Sequence, residues 1–127
     1  MRNRHLLFWL VAAIAAITLV SGIVQIFVPG VILRVLGTER SPASLHFFGL
    51  VGMFMALFGG ALLNAMLNPA GNKVLIFWAG LQKICAVFGV VIGVAHGVFS
   101  WLALPLPVFD FASAMVIFAY LLALGNA

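Results

Sequence analysis

Gln82 and Lys83 stand side by side inside WAGLQKICAVFGVVIG, a stretch that is otherwise almost wholly apolar. An ammonium in such a place can contact an anionic lipid, a partner subunit or a negative group on a substrate. It can also do none of these and simply carry its charge back to the membrane surface on its alkyl stem. The remaining acid–base chemistry is sparse, with two acidic residues and three histidines in the whole chain. His46, His96 and Asp110 are the one constellation with more to offer. Two imidazoles at matched depth can hold a haem or a chlorophyll-type pigment. With a carboxylate beside them they can bind a divalent metal or pass protons to a quinone. The sequence has no Gly-rich phosphate loop, no Ser–His pair in a nucleophile context and no paired carboxylates. An enzyme built on this chain has few ways to work, and nearly all pass through His46, His96 and Asp110.

The composition says which solvent surrounds these groups. Of 127 residues, 66% are hydrophobic and 6% charged, whereas soluble domains carry about a quarter charged residues. So apolar a chain can neither coat a soluble surface nor stay disordered, and it reads as an integral membrane protein. The net charge of +4 comes from basic residues scattered singly, which suits lipid headgroups rather than nucleic acid. Cys85 stands alone and makes neither an internal disulfide nor a metal motif.

Four apolar runs are long enough to cross a bilayer: about 6–28, 45–67, 74–98 and 108–124. Lipid offers no partners for backbone polar groups, so each reads as a helix, and the fold class is all-α, a four-helix transmembrane bundle in a single domain. Pro29-Gly30 should close the first span, and the two prolines of LALPLP should break the chain before the fourth. Ser41, Pro42 and Ser44 suit the start of the second. VILRVLG, between the first two spans, is too short to cross and reads as an interfacial helix. The N-terminus also resembles a secretory signal, but its apolar run continues to Val28, so we read it as a retained span.

Four spans put both termini on one side, with Arg2, Arg4 and Lys73; Arg34, Arg40 and Glu39 lie on the other. The small excess of positive charge points to cytoplasmic termini. Counting residues from the span ends assigns Lys83 to the leaflet of the termini, with Asn64, Tyr120 and the C-terminal carboxylate. His46, His96, Asp110 and Glu39 fall in the other leaflet. This assignment predicts that Lys83 snorkels toward the terminal side and does not pair with Asp110. Gln82 is expected to face the bundle as an interhelical hydrogen-bonding group. Lys83, Gln82 and Asn64 are the expected lipid or partner contacts.

Small and polar residues recur at helical spacing on every span, as packing in lipid requires. The stripes are Ala15, Thr18, Gly22, Gln25; Gly52, Ala56, Gly60, Asn64; Gln82, Cys85, Gly89, Gly93, His96; and Asp110, Ala114, Ile117. The span pattern, the glycine-rich HFFGLVGMFMALFGGALL, the polar third span and the acidic VFDFASA together resemble the small four-helix DoxX-like bacterial membrane proteins. That resemblance implies a bacterial inner membrane and an association with redox-linked complexes, and it carries over no functional residue. The leading expectation is a non-enzymatic accessory subunit or self-associating bundle, with a partner subunit or a second copy beside it. The alternative is a redox-linked, cofactor- or quinone-binding protein using His46, His96 and Asp110. A third reading is a pocket for a hydrophobic small molecule between the glycine faces, near Gly89 and Gly93.

Overall fold

The computed structural model describes residues 2–125. The side chain of Arg2 and the C-terminal carboxylate lie outside that description. Five α-helices account for most of the described chain: α1 (Arg2–Phe27), α2 (Pro29–Val35), α3 (Pro42–Ala65), α4 (Lys73–Ala95) and α5 (Pro105–Gly125). Single 3-10 turns at Pro69–Asn72 and Trp101–Ala103 lead into α4 and α5. Four helical segments are long and apolar enough to cross a membrane, as expected for an all-α four-helix bundle.

Local chemistry explains the ends. The Ser41 hydroxyl accepts from the Ser44 N–H at 3.1 Å, and Pro42 fills the first turn of α3, where its missing N–H costs nothing. Gly37 and Gly97 have φ of +69° and +76° and stop α2 and α4. After α4 the Gly97 and Val98 N–H groups donate to the carbonyls of Val94 and Gly93, the double bond of a Schellman cap. Hence α4 ends at Ala95 rather than running on to Val98. Prolines act as starters here. Pro29 opens α2, and Pro105 and Pro107 both lie in the first turn of α5, whose N–H groups have no helical partner in any case. The fourth span therefore begins at Pro105, within LALPLP and three residues before the expected start near Val108, and Asp110 sits inside a helix instead of at its start.

The helices form two extensive antiparallel pairs, α1 with α3 and α4 with α5, joined by smaller contacts between α1 and α5 and between α3 and α4. The first pair is closest where side chains are smallest. A Cβ on Gly22 would lie 2.5 Å from the Ala56 nitrogen, and one on Gly59 would lie 2.5 Å from that of Leu19. Gly59 thus takes the place expected of Gly60, whose nearest neighbour is a Leu19 methyl at 3.9 Å.

The two pairs meet fully at one end only. The core there draws on Val11, Ile14 and Ala15 of α1, Leu62 and Ala65 of α3, Ile76 and Ala79 of α4, and Ile117, Tyr120 and Leu124 of α5. All but Ala15, at the midpoint of α1, come from the halves of their helices nearest the chain termini. Outward, large apolar side chains such as Trp9, Phe54, Leu57, Trp78 and Phe88 are exposed. In water that would be untenable; against acyl chains it is what a span requires.

Candidate functional site

Beyond the packed end the helix pairs part around a cavity of about 610 Å³. Its α1 wall carries Thr18, Ser21, Val24 and Gln25; α3 contributes Phe48, Val51 and Met55. Gln82, Lys83, Ala86, Gly89 and Val90 come from α4, and Leu106, Phe109 and Asp110 from α5. Ile32 and Leu36, on and just after α2, together with Phe99 and Ala103, line the end away from the core. That end is tied by one main-chain bond, from the Ser100 N–H to the Leu36 carbonyl at 2.8 Å. Gly89 has open space where a Cβ would be, whereas a Cβ on Gly93 would strike the Phe99 ring.

Lys83 stands where core gives way to cavity. It is 4% exposed, and its ammonium donates to the Thr18 hydroxyl at 2.7 Å. That hydroxyl donates in turn to the Ile14 carbonyl at 2.8 Å, leaving its lone pairs for the lysine. The Asp110 carboxylate lies 3.7 Å from Nζ, and the Phe109 ring centroid 5.6 Å. One ammonium therefore links α1, α4 and α5. Charges this deep must be paired to be tolerated, and both belong to the same pair.

This arrangement corrects the leaflet assignment. Gly80 packs against Ile117 and Phe118, so the antiparallel register sets Lys83 near Ala114, and Asp110 is one turn, about 5.4 Å, beyond it. A lysine stem spans that distance. Both residues lie close enough to the bilayer centre that dividing them between leaflets has no force. The expected snorkel toward the termini does not occur either: Ile76 and Ala79 fill that side with core, and the cavity is the open direction.

The stripes fare unequally. Ala15, Thr18, Gly22 and Gln25 are all buried, and the Gln25 amide donates to the Phe48 carbonyl at 2.9 Å. Ala114 and Ile117 are fully buried beside Asp110. The α4 stripe is rotated from expectation: Ile76, Ala79, Gly80 and Lys83 are buried, while Cys85, Gly89 and His96 are exposed in the isolated chain. Gln82 does not supply the expected interhelical bond. Among the described residues those side-chain bonds belong to Gln25 and Lys83, and Gln82 borders the cavity instead. Asn64 is exposed in the last turn of α3.

His46 and His96 are both exposed, and neither lines the cavity. His46 has the ring of its neighbour Phe47 at 5.7 Å, and His96 follows the last turn of α4. Among the described residues no three His, Cys, Asp or Glu side chains converge as a metal site, so the His46, His96 and Asp110 triad is not assembled as one. Asp110 alone of the three reaches the cavity. Thr18, which the sequence places only in a packing stripe, is the further polar residue that the structure brings to Lys83. A polar residue in register with a buried lysine was the available signal.

Comparison with protein-family models, curated proteins and solved structures gives no match.

Proposed function

We propose that this chain is a membrane-embedded binding protein for a small hydrophobic molecule with a polar head. The observation that carries this reading is the hollow half of the bundle, whose charged groups gather where it meets the core. Ligand sites are typically about 300–1,000 Å³, largely apolar, with a few polar groups that fix orientation. The cavity of about 610 Å³ has that size and that lining. Lys83, Asp110 and Gln82 would receive the head, and the apolar walls of α1, α3 and α5 the tail. His46 and His96 have no part in it. In this reading the protein serves as an accessory subunit or a self-associating bundle that holds the molecule for a neighbour. Its setting is a bacterial inner membrane, in keeping with the DoxX-like resemblance, with cytoplasmic termini, in keeping with the small excess of positive charge on their side. A quinone belongs to the class of ligand considered, and so does a single-chain lipid.

The test is purification in mild detergent, organic extraction and mass spectrometry, with an absorbance spectrum of the extract to separate quinones from saturated lipids. A near-stoichiometric hydrophobic molecule, much depleted in Gly89→Leu, is expected. Protein that carries none and takes up no added lipid or quinone would refute the proposal. Crosslinking in native membranes tests the subunit role, and strictly monomeric protein would count against it.

A further inference from the structure

We infer that the site selects an uncharged head group that both accepts and donates hydrogen bonds, such as an amide or a hydroxyl, and discriminates against fatty carboxylates and alkylamines. The inference rests on the binding role proposed above and names the ligand class. Among the described residues Lys83 and Asp110 are the only ionisable ones that line the cavity, and they lie 3.7 Å apart. Wherever a proton shared between them resides, the pair sums to zero charge. An incoming carboxylate would meet Asp110, and an incoming ammonium would meet Lys83, each in surroundings that screen poorly. Neither charge finds an unspent counter-charge.

Hydrogen-bonding capacity does remain unspent. The Lys83 ammonium has three N–H groups, and its hydrogen bond within the described protein is the one to Thr18. At 3.7 Å the Asp110 oxygen is beyond hydrogen-bond length from Nζ, so the carboxylate also keeps acceptor positions. A hydroxyl or amide alongside the pair, about 2.8 Å from each partner, accepts from Lys83 and donates to Asp110. Gln82, at the cavity wall on the same helix, adds a neutral donor and acceptor.

Four probes with one dodecyl-length chain test this by native mass spectrometry of the full chain in detergent at neutral pH: dodecanamide, laurate, dodecylamine and dodecane. Gly89→Leu serves as the control for adsorption to the outer surface. Dodecanamide is expected to bind the wild type about tenfold more tightly than the other three, a difference that a matched polar pair readily produces. Asp110→Asn, which leaves Lys83 alone, should shift the preference to laurate, and Lys83→Met should shift it to dodecylamine. The wild-type ranking decides the matter even if a variant fails to fold. Gly89→Leu-sensitive binding with laurate, dodecylamine or dodecane preferred, or with all four equal, overturns the head-group inference and leaves the binding role standing. No Gly89→Leu-sensitive binding of any probe overturns both.

Discussion

Lys83 brings an ammonium to the middle of a membrane bundle, and its environment decides the consequence. Its partners come from two other helices, Thr18 on α1 and Asp110 on α5. Removing one member of a buried pair strands the other, at a cost of about 3–5 kcal/mol in the cases measured. Lys83→Met should therefore lower stability by about 3 kcal/mol, read from unfolding in detergent, because it leaves the Asp110 carboxylate unpaired. Lys83→Met combined with Asp110→Asn should recover most of that loss. If the single variant proved neutral, the ammonium would be doing no structural work. At Thr18, valine keeps the shape and removes the acceptor, so a loss of about 1.5 kcal/mol is expected, with serine near wild type.

Between elements, backbone proximity governs. Helices in lipid gain little from burying apolar surface against each other, so α1 and α3 are held by close packing along Gly22, Gly52 and Gly59. Gly59→Leu should force these helices apart and cost about 1–3 kcal/mol or more. Gly60→Ala, next along the chain, should stay within about 0.5 kcal/mol of wild type. Equal losses at the two positions would mean that the register of α1 on α3 is different. Both glycines are visible in the sequence, yet adjacent helical residues point about 100° apart, and composition alone does not say which one faces the neighbour. The same ambiguity explains the α4 stripe. Gln82 does face inward, at the cavity wall, but the buried place beside it and the interhelical bond belong to Lys83.

At the scale of the molecule, one end of the bundle is packed and the other hollow. Gly89→Leu puts an apolar side chain into open space. It should leave the stability of ligand-free protein unchanged or slightly raised while ligand occupancy falls, a combination that a purely structural glycine would not produce. Antiparallel α1, α3, α4 and α5 also put the start of α1 and the end of α5 on the same side, so reporter fusions at the two termini should respond alike. Opposite responses would dismantle the bundle as described.

What the sequence determined by itself is the solvent, the number of crossings and most of the punctuation. Apolar runs beyond bilayer length permit helices only, and Ser41-Pro42 marks the start of α3 through chemistry confined to a few neighbouring residues, whereas the stops at Gly37 and Gly97 show only in the backbone. The site was legible in part. Lys83, Gln82 and Asp110 stood out because a charge or amide is costly in lipid, and the inward stripe of α1 already contained Thr18. Only the tertiary structure decided which of them meet. A salt bridge between α4 and α5 depends on register, and register depends on where Pro105 starts a helix and how Gly80 seats against Ile117. The cavity was visible only as a pocket between glycine faces near Gly89 and Gly93; Gly89 lines it and Gly93 does not, and its extent follows from where two helix pairs fail to touch, which no single segment encodes.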